Sequence, residues 1–142
     1  MKKYIPFIIL LVLFDQATKF FLQGKNISLL PFVSFHYAEN TGVAFSLFQG
    51  YNWLFILVSL IALSVVFYYF KQYPIPLSFF AAGILGNLID RIFFGFVRDF
   101  ISISIWPIFN LADSWNFIGF ALLYYVWSKE ENINKAHNPR KK

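Results

Sequence analysis

The stretch from Trp53 to Phe70 contains no charged residue, and that feature most narrows what this chain can be. A hydrocarbon core of about 30 Å takes about 20 apolar residues of helix to cross. Three further stretches meet that measure: Tyr4 to Leu22, Pro76 to Phe94 and Pro107 to Trp127. Pro76 and Pro107 suit the first turn of a helix, where a missing N–H costs nothing. The expected fold is a membrane all-α architecture of four transmembrane helices, spans 4–22, 53–70, 76–94 and 107–127. They form one domain over 1–142, with a polar tail over 128–142 expected to fray. Composition points the same way. Charged residues make 13% of the chain against 58% hydrophobic, too few to cover a water-facing surface. Lys2 and Lys3 ahead of an apolar run imitate a secretory leader. No small-residue cleavage site follows, and Asp15, Gln16 and Lys19 interrupt the run, so this helix is expected to be kept.

The connections differ in kind. Between the first two helices, Gln23 to Asn52, the segments Ile27–Leu30 and Phe32–Tyr37 are strand-like, and a small β-structured region is expected in this loop. The second and third helices are joined by the short turn Lys71–Pro74, and the third and fourth by Gly95 to Trp106. With four spans, both termini share a side with Lys71. That side carries Lys2, Lys3, Lys71, Lys129, Lys135, Arg140, Lys141 and Lys142; the other carries Lys25, Arg91 and Arg98, with Lys19 near its edge. An excess of Lys and Arg marks the cytoplasmic side. Both termini are thus expected in the cytoplasm, and the net charge of +5 is a matter of topology and not of nucleic acid.

Against that topology the acids are unevenly placed. Glu130 and Glu131 lie in the tail and Glu39 in the first loop; the rest are Asp15, Asp90, Asp99 and Asp113, all expected in the outer layer, with Asn40, Asn87, Asn110 and Asn116 beside them. Helix ends and loops carry Asp and Asn as ordinary caps, which is explanation enough for a lone Asp99. An acid inside an apolar run is another matter, at about 2.5–3.5 kcal/mol on insertion scales. Asp15 has Lys19 one turn on, in the favourable order, and that pair reads as mainly structural. Asn87, Asp90 and Arg91 share a helical face, and Arg91 is positioned to neutralise Asp90. Asp113, expected about two turns into its helix, has only the neutral Asn110 and Asn116 at helical spacing. Asp99 and Asp113 are therefore the acids least accounted for by local pairing. Gly83 and Gly86, three apart, permit close helix approach.

Two carboxylates brought together share one proton, and then one acts as base toward a water while the other donates to a carbonyl oxygen. That chemistry takes neither metal nor cofactor. The chain has no cysteine, hence no disulfide, thiolate zinc site or cysteine nucleophile. Its two histidines, His36 and His137, lie in a loop and in the tail, away from any place a Ser-His hydrolase would need them. Neither an H-E-x-x-H helix nor a G-x-S-x-G elbow is present. A Ser46–Lys19 pair is conceivable, but Lys19 already has Asp15. A small transporter or proton pathway is the leading alternative, because intramembrane acids mark those too. It requires polar groups through the whole membrane depth, whereas the inner half of each span is almost wholly apolar. A non-catalytic scaffold leaves Asp113 unexplained.

These residues resemble a known family. Asp15–Gln16–Ala17–Thr18–Lys19 resembles the D-Q-x-T-K box of the lipoprotein signal peptidases (signal peptidase II). Asn40–Thr41–Gly42–Val43–Ala44–Phe45–Ser46 is similar to that family's N-T-G-x-A-F-S segment, and Gly83 to Arg91 to its G-x-x-G-N-x-x-D-R box. Val97–Ile101 resembles V-V-D-F-I, and Phe109–Ser114 resembles F-N-x-A-D-S. Each box alone is weak; in order from the first helix to the last they are specific. The resemblance implies an aspartic endopeptidase of the bacterial cytoplasmic membrane that works as a monomer, without cofactor, on its outer face. It implies cleavage of lipid-modified prolipoprotein precursors just before a diacylglyceryl cysteine, with membrane lipids as the only other partner. The catalytic pair would be Asp99 and Asp113, supported by Asp15, Lys19, Asn40, Asn87, Asp90, Arg91 and Asn110. Arg98 departs from the pattern, which has a small apolar residue there. A cation at that place is expected to lower the pKa of Asp99 or to point to lipid headgroups. The link from Asp99 to Asn110 is short for a lid.

Overall fold

A computed structural model describes residues 1–42 and 51–137 of the chain. After a single helical turn at Lys2–Tyr4, the elements in order are α1 (Ile5–Leu22), β1 (Asn26–Leu30), β2 (Val33–Asn40), α2 (Asn52–Tyr69), α3 (Pro74–Phe93), β3 (Val97–Ile103) and α4 (Leu111–His137). Among the described residues, three helices are long and apolar enough to cross a membrane: Lys2–Leu22, Asn52–Tyr69 and Pro74–Phe93. Helix α4 is the longest, but its first turns carry Asp113, Ser114 and Asn116 and its last ones Lys129, Glu130 and Glu131.

Helix α3 is the hub, packing against α1, α2 and α4. Small residues permit this. A methyl group added at Gly83 would run into the Ala112 carbonyl and Asn116 Oδ1 of α4. One added at Gly86 would lie 2.6 Å from Asp15 Oδ2 and 2.9 Å from the Ala112 methyl. The close approach expected of these glycines is what the helices use. An apolar cluster of Ile8, Leu11, Val66, Phe70, Leu77, Ala81 and Ala82 fills the half of the bundle away from the sheet. The distribution is inverted relative to a water-soluble protein: Leu10, Leu13, Phe14, Phe20 and Phe21 of α1 face outward, while Asp15 and Lys19 of the same helix are buried. Lipid solvates the former, and only protein partners satisfy the latter.

The sheet differs from expectation. The strands expected between α1 and α2 are present as β1 and β2, but a third comes from the connection between α3 and α4. The order is β1-β2-β3, antiparallel throughout. Val97 pairs with Asn40 and Asp99 with Ala38, with a register shift between Phe35 and Ala38. Gly24 and Gly95, in left-handed conformation at φ +71° and +82°, turn the chain from α1 toward the sheet and from α3 into β3. The polar pair Arg98–Asp99 gave this segment the look of a loop.

Helix α4 is corrected at both ends. It starts at Leu111, not near Pro107, because Phe109 is held across β3. Phe109 N donates to Ile101 O at 3.0 Å, and its carbonyl accepts Ile101 N at 2.7 Å and Phe100 N at 3.1 Å. Its far end does not fray at 128 but continues as helix to His137. Lys129, Glu130 and Glu131 are good helix formers, and the Tyr73 hydroxyl at the head of α3 donates to Glu130 at 3.2 Å.

Candidate active site

Helix α4 opens with reciprocal capping. Asn110 Oδ1 accepts the main-chain N–H of Asp113 at 3.0 Å, and Asp113 Oδ2 accepts the N–H of Asn110 at 3.1 Å. This is a capping box with Asn and Asp in the usual Ser/Thr and Glu roles. Asp113 thus stands in the first turn, not two turns deep, and its carboxylate answers an orphan donor of the helix end. The same Asn110 side chain donates through Nδ2 to Asp99 Oδ1 at 2.6 Å and to Asn87 Oδ1 at 3.0 Å. One asparagine therefore holds both acids, and the short link from Asp99 succeeds because Phe109 folds back on β3.

Each acid has a second amide. Asn40, opposite Val97 and so diagonal to Asp99 on one face of the sheet, donates to Asp99 Oδ2 at 2.9 Å; its own Oδ1 accepts Gly42 N at 3.0 Å. Asn87 of α3 donates to Asp113 Oδ1 at 2.8 Å. Asp99, 2% exposed, has its carboxyl pushed up to about 7, chiefly by burial and then by the charge of Asp113. The two amide donors and Lys19 oppose that shift and lose. Asn40, Asn87, Arg91, Trp106, Asp99 and Asp113 border a cavity of about 420 Å³. A second, apolar cavity of about 570 Å³ lies among α2, α3 and α4. Its walls include Ile84 and Asn116, one turn along from Asn87 and Asp113. Asn116 belongs to this second cavity and not to the acid cluster, and its Oδ1 is buried without a hydrogen-bond partner.

The remaining charged residues form a separate buried layer. Asp15 pairs with Lys19 at 2.8 Å and accepts the Ala112 N–H at 2.8 Å, tying α1 to the head of α4. Lys19 reaches Asp90 at 3.3 Å and Asn87 Oδ1 at 3.1 Å. Two expectations change here. Asp90 is neutralised by Arg98 and Lys19, not by Arg91. Arg91 turns the other way, over the Phe55 ring and toward the Gly42 carbonyl, because one residue along a helix rotates the side chain by about 100°. The Asp99 carboxyl lies above its ordinary value despite the neighbouring cation, and Arg98 is buried and not turned to headgroups. Neighbours on a strand point to opposite faces, and Arg98 is buried against Asp90, Gln16 and Phe94. Gln16, which sequence reasoning left unassigned, donates to Asp15 and Asp90 and accepts from Arg98; its place inside the first motif was the available signal. Thus every residue singled out, Asp15, Lys19, Asn40, Asn87, Asp90, Arg91, Asp99, Asn110 and Asp113, comes to one end of the bundle. The second motif from Val43 on, including Ser46, lies outside the described residues. Lys19 is occupied by Asp15, Asp90 and Asn87.

A sequence model of the Signal peptidase (SPase) II family matches residues 7–128. The chain belongs to the signal peptidase II family. The lipoprotein signal peptidase of Halothermothrix orenii is 38% identical over 138 residues, covering 87% of this chain and 94% of that protein. That of Thermodesulfovibrio yellowstonii is 41% identical over 131 residues, covering 83% and 89%. A bacterial membrane enzyme solved by the in meso method at 2.3 Å superposes with a TM-score of 0.83 and 29% identity, over 100% of this chain and 94% of that one. Signal peptidase II family membership makes this chain a membrane protein and a protease of lipoprotein processing.

Proposed function

We propose that this family member is an aspartic endopeptidase whose catalytic pair is Asp99 and Asp113, and that it removes the leader of diacylglyceryl-modified prolipoproteins just before the lipidated cysteine. The observation that carries the reading is the double grip of Asn110, whose side-chain Nδ2 holds Asp99 and whose main-chain N–H holds Asp113 at the wall of one cavity. With its carboxyl at about 7, Asp99 holds the shared proton near neutral pH. Asp113 takes a proton from water as the oxygen attacks the scissile carbonyl, and Asp99 donates to the carbonyl oxygen. A C–O bond forms. Collapse of the diol then breaks the C–N bond: Asp113 passes the proton it gained to the leaving amine, and a diol hydroxyl returns a proton to Asp99. Asn40 and Asn87 orient the two carboxylates, and Arg91 lines the cavity they share.

In this reading α4 is the fourth span, both termini are cytoplasmic, and the sheet and cavity face outward from the bacterial inner membrane. The apolar cavity among α2, α3 and α4 receives the leader, so that its C-terminal end meets the acids. A transporter would need polar groups along the whole bundle, whereas the far half holds the apolar cluster around Phe70 and Ala81.

The test is cleavage of one precursor, with and without its diacylglyceryl group, by the wild-type protein and by Asp99→Asn and Asp113→Asn. The lipidated precursor is cut with or without a chelator, and each substitution lowers turnover by roughly 10³-fold or more, since either removes the shared proton. Each buried methylene contributes about 0.8 kcal/mol, so the acyl chains fix the depth of the scissile bond. Equal rates on both precursors would make the protein a general membrane peptidase, and an active Asp→Asn variant would remove the pair.

A further inference from the structure

The buried charges beside the proposed pair are balanced. Asp15 and Asp90 face Lys19 and Arg98, and none is more than 4% exposed. Lys19 serves both acids and still donates to Asn87 Oδ1. It can be divided in this way because Asp90 has a second cation. Arg98 Nη2 meets Asp90 Oδ1 at 2.8 Å and Nε meets Oδ2 at 3.3 Å, a two-pronged grip. The main-chain N–H of Arg98 adds a bond to Oδ2 at 2.9 Å, and Nη2 also donates to Gln16 Oε1 at 2.8 Å. The Phe94 ring covers the guanidinium at 4.3 Å.

We infer that Arg98 is a positioning residue for both acids of the pair. It acts on Asp99 through the strand they share and on Asp113 through Asp90, Lys19 and Asn87. The inference rests on the assignment of Asp99 and Asp113 made above. Along the first route, the fork on α3 and the bond to α1 fix the rotation of β3 about its axis. The next side chain, on the opposite face, is thereby aimed at Asn110 and Asn40. Along the second route, loss of the guanidinium leaves two buried acids on the single ammonium of Lys19. An uncompensated buried charge is costly, so Lys19 is drawn toward Asp90 and off Asn87 Oδ1. Asn87 is the residue that holds Asp113 at 2.8 Å. The motif this segment resembles has a small apolar residue at position 98.

The experiment uses the full-length protein in lipid-containing micelles, with Arg98→Met and Arg98→Lys. Amide hydrogen exchange is followed in peptides covering residues 97–103 and 109–114, with α2 as reference. Turnover is followed on a diacylated precursor across a range of concentrations. Arg98→Met should speed exchange in both segments while α2 is unchanged. Its kcat should fall roughly 10- to 100-fold, the loss expected of a misplaced reacting group, with KM within about twofold of the wild type. Arg98→Lys should retain more kcat than Arg98→Met, because an ammonium can engage Asp90 but not as a fork. Unchanged exchange, or full turnover in Arg98→Met, overturns the inference. So does faster exchange throughout the chain with kcat and KM changing together, since Arg98 would then merely hold the fold. Should the wild type fail to cut the precursor, the proposed function falls by itself, while the exchange measurement still decides whether Arg98 orders both segments.

Discussion

Asp99 shows how little of an acid's behaviour resides in the acid. An ordinary aspartate has a pKa of 3.8, and here the carboxyl lies at about 7, because burial and Asp113 outweigh two amide donors. Between those values the folded chain keeps a proton that the unfolded chain has released. The contribution of Asp99 to stability is therefore greatest at low pH and declines as pH rises from about 4 to about 7. In the proposed mechanism activity follows the same proton. As pH rises through about 7 the shared proton is lost, and kcat/KM for a lipidated precursor should fall on an alkaline limb centred near that value. A profile flat from pH 6 to pH 9 would contradict a role for Asp99 as proton holder. The acids themselves were legible in the sequence because ionisable residues are scarce in so apolar a chain, and Asp15, Asp90 and Asp113 interrupt runs that otherwise read as lipid-facing. Their pairing was less legible. Local spacing matched Arg91 with Asp90, while the partner in space is Arg98, eight residues on and on a different element.

At the level of elements, the helices were readable from length and hydropathy, and the misreadings have local causes. Pro107 looked like the first residue of a helix, yet the Asn110–Asp113 capping box three residues later is the true start; the competing signal was the N-x-x-D spacing. Strand β3 was read as a loop because its two charged residues hide an alternation that only the pairing with β2 completes. The glycines of α3 were read correctly, and they carry a prediction. Gly86 leaves room for the Asp15 carboxylate, which bonds Lys19 and the head of α4. In Gly86→Ala, the new methyl displaces Asp15 or separates α3 from α1 and α4. Overpacking costs about 1–3 kcal/mol, and the shift of Asp15 loosens the start of α4 as well. Thermal unfolding in detergent should show a lowered midpoint with turnover reduced at least tenfold. Gly95→Ala, with nothing within 4 Å, should show the smaller strain of its left-handed backbone and no crowding. Equal effects of the two would mean that helix approach is not what Gly86 provides.

On the scale of the whole molecule the question is which way the bundle faces. Lys19 and Arg98 are buried in ion pairs and Arg91 turns into the site cavity, so on the sheet side only Lys25 is left as an outward-facing cation among the described residues. The opposite side has Lys2, Lys3, Lys71 and Lys129. The asymmetry is thus sharper in three dimensions than along the sequence, and cations mark the cytoplasmic face. Because the chain has no cysteine, single cysteines can be placed without background. Ile105, 96% exposed beyond β3, and Lys25 report on the sheet side. Gln72, exposed in the turn before α3, and Asn132, exposed late in α4, report on the other. A membrane-impermeant maleimide should label Ile105→Cys and Lys25→Cys in intact spheroplasts, and should label Gln72→Cys and Asn132→Cys only after permeabilisation. Agreement of Gln72 and Asn132 also tests the span count, because an α4 that failed to cross would leave Asn132 on the side of Ile105. The reverse labelling pattern would put Asp99 and Asp113 in the cytoplasm, out of reach of a precursor whose lipidated cysteine emerges on the outer face.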